Sequence, residues 1–477
     1  MNFMTHRRIR ASATLLIVAL ALTPSCSKKV ESADHAPALK QLVASAPTWV
    51  EQTPLGKRLW RIEQQFYDSR QYVPAWVDGL GTTPQMKALV QQLHYSEKHG
   101  LDPAVYGVRY FEDARARSQT KYEGTQFEPA RVPEIDARLT YAYLRYAADL
   151  LAWGARPRDV YENWLVEPKK EDLAARLADA IKTGDIRRSL EELAPEHPQY
   201  RGLQAALVRE QSNPTGHADQ LKMNLERWRW APQTLGDRYV LINVPAYQLQ
   251  VMEGDTPALA MRVIVGQTDT PTPLFSDAMT YVVFSPYWNI PESILRDETL
   301  PKLASDPDYL RRNNLEVVGT RGTIDPDSVD WSDESALKGL RLRQAPGPEN
   351  ALGLVKFIFP NHFSVYLHDT PGDRLFFKEH RSLSHGCIRL EKPVAMADYV
   401  LREQGWTEPR VVSAMNSKEE QTVTLKRKLP VHIGYWTAWV EANGQVTYTD
   451  DPYHIDEAHL RVRQNQRLQK TSETDPL

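Results

Sequence analysis

The chain has 477 residues, 42% of them hydrophobic and 25% charged, with a formal net charge of −3. At roughly 100–200 residues per domain, that length allows two or three domains of ordinary globular composition. The near-neutral charge excludes a global basic field of the kind that attracts nucleic acid, and two cysteines exclude a disulfide framework.

The chain opens on Arg7, Arg8 and Arg10, followed by an apolar run from Ala11 to Leu22. A run of about 12 residues falls short of the roughly 20 that a spanning helix needs, and the layout is that of an export signal. It ends in Leu22-Thr23-Pro24-Ser25-Cys26, which resembles a bacterial lipobox. The usual leucine three places before the cysteine is Thr23 here, with Leu22 one place early. Residues 1–26 are read as a signal peptide lipidated at Cys26, against cleavage elsewhere or an uncleaved signal anchor. Residues 27–50, polar with scattered Ala and Pro, are read as a tether.

From 51 to 215 the pattern is helical. Leu59, Ile62 and Phe66 share a face between Leu55 and Tyr67. Thr83-Pro84 has the form of a helix start, with a capping side chain and Pro at the first position. The strongest helix runs from Ile135 to Trp153, with Leu139, Tyr143, Tyr146 and Leu150 on one face and Gly154 after it. Shorter ones follow at Asp172–Ile181, Ile186–Leu193 and Tyr200–Glu210, then the polar loop 211–216. No cluster with catalytic spacing occurs in this half, so it reads as a helical scaffold domain.

Near Leu221 the pattern changes. Tyr239–Val244, Tyr247–Met252, Met261–Gly266 and Thr280–Ser285 read as strands, and Lys356–Phe359 and Ser364–His368 continue them. Pro393–Gln404 reads as one helix. Asn443-Gly444 joins Trp436–Val440 to Gln445–Thr449 in a hairpin with a tight primed turn, inside a C-terminal hairpin region of about 430–450. The stretch of about 292–350, with a helical piece at Ser305–Arg312, interrupts the strands; an insertion of that length is usually a lid or functional excursion. The fold class is α+β multidomain: a helical N-terminal scaffold domain over 51–215, then a mainly β domain over 221–460 carrying the insertion, then a polar tail at 461–477.

With Cys26 in the leader, Cys387 is the only thiol of the body. It lies in Ser384-His385-Gly386-Cys387-Ile388-Arg389. A thiolate attacks, a thiol does not, and a paired imidazole takes the proton. Backbone N–H groups on a turn around Gly386 would hold the oxyanion of an attacked amide. His368, ending a predicted strand, is the leading base; His385, His380 and His362 are the alternatives. A metal reading with His368, His385 and Cys387 lacks a clear fourth ligand, so no metal or cofactor is expected.

His368, fifteen intervening residues and then Ser384-His385-Gly386-Cys387-Ile388-Arg389 resemble the signature of the L,D-transpeptidases of peptidoglycan synthesis, which share the YkuD-type catalytic domain. The resemblance extends to the larger, envelope-anchored YcbB-type members through Asn224–Trp230, Ser285–Pro291, Gln344–Pro348 and Tyr366–Pro371. His99-Gly100-Leu101-Asp102-Pro103 looks like part of their scaffold domain. Those relatives insert a peptidoglycan-binding module between scaffold and catalytic domain. Here only about thirty residues separate Pro195 from Leu225, and the module has no room.

The resemblance implies that Cys387 attacks the third-residue carbonyl of a tetrapeptide stem, expels D-Ala, and passes the acyl group to the amine of another stem. His368 would be the base, oriented by the backbone carbonyl of Asp369. N–H groups of His385, Gly386 and Cys387 would form the oxyanion hole. Arg389, Tyr366, Trp288 and Ser384 would meet substrate, and 292–350 would be a capping subdomain. Water as acceptor (an L,D-carboxypeptidase), hydrolysis of a wall-protein linkage, and an inactive wall-binding lipoprotein are the alternatives. Carbapenems acylate related enzymes at this cysteine. The expected partners are donor and acceptor stem peptides, other envelope proteins, and a membrane reached through the lipid anchor, with no nucleic acid. The expected location is the periplasm of a diderm bacterium.

Overall fold

The computed structural model describes residues 32–79, 81–121, 127–306, 308–331 and 339–473. Cys26 and the leader lie outside them.

The N-terminal half is helical, and its helices begin where side chains can satisfy their free N–H groups. Thr53 caps Pro54–Ser69 by accepting from Gly56 N, and Thr83 Oγ1 accepts from Met86 N, 3.1 Å, at the start of Pro84–Tyr95. The helix Val132–Leu150 is buried on almost every face. The tether reading requires correction. Ala36–Val43 is a helix whose Leu39 and Val43, four residues apart, are buried in the scaffold core together with Val50. One apolar stripe is enough to dock a polar-looking segment.

Two helices, not one, precede the strands: Pro198–Ser212 and Ala218–Trp230. The second joins the two halves. Its Leu221, Leu225 and Trp228 belong to the scaffold core, which also takes Tyr239, Leu241 and Trp436 from the β half. Its Trp230 belongs to the β core.

Strands β1 (Arg238–Asn243), β2 (Gln248–Glu253), β3 (Thr256–Gly266) and β4 (Phe275–Phe284) open the β half. The capping insertion holds β5 (Trp288–Asn289), β6 (Leu315–Gly319), β7 (Gly322–Ile324) and β8 (Arg341–Gln344). Then come β9 (Val355–Ile358), β10 (Leu367–His368), β11 (Ser382–Ser384), β12 (Ile388–Leu390) and β13 (Gln421–Gly434). Among the described residues nine strands form one sheet, in the order β11-β3-β12-β10-β9-β4-β13-β1-β2, and β2 also pairs with β3. The pairing therefore closes on itself, which leaves few free edges. Most pairs are antiparallel; β10–β12, β13–β1 and β11–β3 are parallel. The helix Pro393–Leu401 packs on the apolar core of this sheet through Met396, Ala397, Val400 and Leu401.

The insertion is a separate small body. Strands β5, β8, β6 and β7 make a four-stranded sheet over a core of Leu303, Leu310, Leu315, Val317 and Leu342. Its helical part is broken into Leu300–Ser305 and Tyr309–Arg312.

The hairpin β14 (Ala438–Val440) and β15 (Val446–Tyr448) has a different turn from the primed one expected. Gly444 has φ +79°, while Asn443 is absent from the positive-φ residues, and Glu441 N bonds Gln445 O at 2.8 Å. That makes a three-residue loop with Gly in the left-handed position. The polar-tail reading also needs correction. Ile455–Glu473 is a helix, and its first turns are anchored by buried Ile455 and His459. The sequence there looks polar because its inner face is ionic: Asp456 meets Arg227, and Arg463 and His459 meet Glu226.

Candidate active site

The short parallel pair β10–β12 builds the site. Leu367 pairs with Ile388 and His368 with Arg389, while Ile388 N bonds Tyr366 O at 3.2 Å. Side chains alternate along a strand. Leu367, Ile388, Leu390 and Phe357 point into the apolar core. Tyr366, His368, Cys387 and Arg389 therefore share the opposite face, one residue on each of two adjacent strands and one immediately before each. Lys356 of β9, the register partner of His368, joins them.

Cys387 is a free, half-buried thiol. The phenol and the backbone N–H of Tyr366 lie near enough to its sulfur to favour the thiolate, yet burial dominates and pushes the thiol up to about 11. His368 is buried, its ring 5.8 Å from that of Tyr366. Its Nδ1 donates to the Asp369 carbonyl at 2.5 Å, which leaves Nε2 as the proton acceptor. Burial first, then the nearby Arg389 charge, hold this imidazole down to about 3, against the pull of the Asp369 and Leu352 carbonyls. At pH 7 each group sits about 4 pH units from its titration, so ionising both costs on the order of 10 kcal/mol before their mutual attraction. Burial thus favours the neutral form of both groups.

Asp369 holds the His368 ring from a fixed position. Its carboxylate accepts from Thr370 N at 2.7 Å and Leu354 N at 2.8 Å. Gly353, φ +61°, lies so close to this carboxylate that a Cβ there would overlap it.

Ser384 is not positioned to meet substrate. It is buried, and its hydroxyl donates to Cys387 O and accepts from Gly386 N at 3.2 Å. The same bond commits the Gly386 N–H expected in the oxyanion hole. Gly386 has φ +107°, a backbone shape suited to glycine. The segment before β4 braces this loop: Thr272 Oγ1 donates to Gly386 O at 2.8 Å and accepts from Gly266 N at 2.9 Å, and Gln267 N bonds Ser384 O at 2.9 Å. Thr272 was not singled out by sequence reasoning; it lies 114 residues from the loop it holds.

Arg389 is half-buried with its Nε unpartnered among the described residues, a guanidinium with spare donors on the site face. Lys356, also missed, bonds Tyr287 O at 3.4 Å and sits 3.9 Å from Glu420, and burial lowers its pKa. Trp288 is on β5 of the capping sheet, paired with Gln344, not on the site face. His385 is exposed, and its Nε2 lies 2.7 Å from Glu298 of the capping subdomain. His362 and His380 are exposed on loops. Among the described residues no group of three or more His, Cys, Asp or Glu side chains is gathered as a metal site, and His385 faces Glu298.

Residues 237–433 match the L,D-transpeptidase catalytic domain and residues 63–207 the Scaffold domain. A Haemophilus influenzae protein assigned as an L,D-transpeptidase is 30% identical over 407 residues, 82% of this chain and 77% of that protein. The chain belongs to the L,D-transpeptidase family. Solved L,D-transpeptidases of Mycobacterium smegmatis and Mycobacterium tuberculosis are 14% and 12% identical over 41% of the chain, with TM-scores of 0.19 and 0.16; the matches span 58% and 60% of their own lengths. The L,D-transpeptidase family is one of cysteine acyltransferases acting on peptidoglycan stem peptides. Its catalytic-domain match ends within β13 and contains Tyr366, His368, Cys387 and Arg389.

Proposed function

We propose that this chain is a peptidoglycan L,D-transpeptidase with Cys387 as nucleophile and His368 as base. The observation that carries the reading is the single sheet face shared by Tyr366, His368, Cys387 and Arg389. Cys387 adds to the carbonyl carbon of the third stem residue while His368 Nε2 takes the thiol proton. Because burial favours the neutral form of both groups, proton transfer accompanies attack. The Tyr366 phenol and N–H steady the sulfur as charge builds on it.

The N–H groups of His385 and Cys387 hold the oxyanion, since that of Gly386 is bonded to Ser384. The tetrahedral centre collapses, the C–N bond to D-Ala breaks, and His368 returns the proton to the leaving amine. Arg389 receives a stem carboxylate through its spare donors. An amine of a second stem then attacks the thioester and the cross-link forms; water in its place gives a tripeptide. The leader reading adds export to the periplasm and a lipid anchor at Cys26.

The test is incubation of the purified chain with disaccharide-tetrapeptides and mass analysis of the products. Cross-linked dimers, absent with Cys387→Ala, support the reading, as does a carbapenem adduct on Cys387. Tripeptides alone assign a carboxypeptidase. Dimers formed by Cys387→Ala would overturn the proposal.

A further inference from the structure

The site face is cationic, and the proposed acceptor is a cation too. Arg389 and Lys356 both stand on it. An approaching ammonium therefore needs a carboxylate beside the thioester. Asp369 is committed to two backbone N–H groups, and Glu420 to Tyr287 N and Lys356. Glu298 remains. It belongs to the capping subdomain, in the π-helical turn Leu295–Thr299, an irregularity often found at functional sites.

One oxygen of Glu298 lies 2.7 Å from His385 Nε2, and the other already holds a primary ammonium, Lys302 Nζ at 3.7 Å. The Glu298 side chain is 41% exposed, that of His385 43% and that of Lys302 51%, so incoming substrate can reach them. Exposed pairs of this kind are weak, so Lys302 is displaced at little cost. His385 is two residues from Cys387, which puts their Cα atoms within about 7 Å, and the side chain of a diamino acid bridges such a span.

We propose that Glu298 determines acceptor specificity: with His385 it binds the side-chain ammonium of the acceptor stem at the cleft mouth, where the Lys302 ammonium now sits. The inference rests on the transpeptidase reading. The bound ammonium gives one proton to the His385 imidazole, which passes it on to water. The amine lone pair forms the C–N bond at the thioester carbonyl. The C–S bond breaks with its electron pair on Cys387 Sγ, and the second amine proton passes through His368 to that sulfur. The products are the amide, the free thiol and one proton, which His385 releases to water.

The experiment uses the full chain with disaccharide-tetrapeptide as donor and acceptor. Glu298→Gln keeps the side-chain volume and removes the charge. The dimer-to-tripeptide ratio is expected to fall about tenfold and the acceptor KM to rise by a similar factor, the loss of one charge-assisted contact; Glu298→Asp recovers part of both. Carbapenem acylation of Cys387, which involves no acceptor, is measured on the same samples. An unchanged ratio overturns the proposal. So does an acylation defect as large as the dimer defect, which would make the contact a latch on the capping subdomain. Absence of acylation in the unmutated chain overturns the transpeptidase reading and this inference with it.

Discussion

His368 and Arg389 are register partners across β10–β12, on the same face of the sheet. A permanent cation thus stands beside the proposed base. It disfavours the imidazolium and helps keep His368 neutral down to about 3. The cost of the arrangement is a half-buried guanidinium with a spare donor. The gain is a base that never holds a proton of its own at working pH, and a donor left for a substrate carboxylate.

Arg389→Gln separates these two roles. Removing the like charge raises the His368 pKa, so the acid limb of the acylation profile should move up by about one pH unit. Loss of the carboxylate contact should lower kcat/KM for tetrapeptide about 10–100-fold. A pH series of acylation by carbapenem and by tetrapeptide reads both. If the acid limb stays in place, Arg389 does not act on His368.

Tyr366→Phe tests the hydroxyl on the sulfur. The ring keeps its place 5.8 Å from His368, while the phenol contact that favours the thiolate is lost. The thiol pKa then moves above about 11. The thiolate population at a given pH falls about tenfold for every step of one in that pKa. Iodoacetamide alkylation of Cys387 between about pH 7 and 9 should slow accordingly. An unaltered rate would mean that the phenol does not act on the sulfur.

The proposed nucleophile and base stood out in the sequence because spacing and residue type mark them: His368 at a strand end and Cys387 beside Gly386. The helix start at Thr83 was legible, because capping is local chemistry. The helix Ala218–Trp230 was hidden by its own function. Arg227 and Arg229 are buried there, the first paired with Asp456 and the second bonded to His99 O, so the polar face that should mark the solvent side points inward. Ser384, Lys356 and Thr272 were misjudged or missed for another reason. Their roles are set by groups that are either backbone or far along the chain, which no local pattern encodes.

The scaffold contains a carboxyl group with a pH signature of its own. Glu63 is fully buried, both of its oxygens are unpartnered among the described residues, and Asp136 lies near enough to act on it. Burial first, then Asp136, raise its pKa well above the ordinary value. The folded state thus keeps a proton that the unfolded chain gives up. Its stability contribution is complete below the unfolded pKa and is lost as pH rises towards the folded one. Glu63→Gln removes this liability. The stability of the variant relative to the unmutated chain should grow by up to about 1.4 kcal/mol per pH unit above the unfolded pKa. Urea denaturation at pH values from about 5 to 8 checks the sign; a gap that shrinks with pH would show Glu63 to be ionised in the fold.

The C-terminal helix tests how the halves are joined. The Arg227 side chain is fully buried, 2.6 Å from Asp456 at the start of Ile455–Glu473, and Asp456 also accepts from Thr437 Oγ1 at 2.7 Å. Asp456→Asn leaves the second contact possible and removes the charge opposite Arg227. Breaking one side of a buried pair costs about 3–5 kcal/mol, because the remaining ion stays desolvated. Arg461→Gln, on the same helix, touches only the exposed pair with Glu457 and should change stability by less than about 1 kcal/mol. Urea midpoints of the two variants, followed by tryptophan fluorescence, make the comparison. Trp228 packs in the scaffold core and Trp230 in the β core, on the helix that carries Arg227, so the signal covers both halves. Equal midpoints would mean that the C-terminal helix only rests on the surface; a selective loss with Asp456→Asn makes it part of the joint between scaffold and catalytic domain.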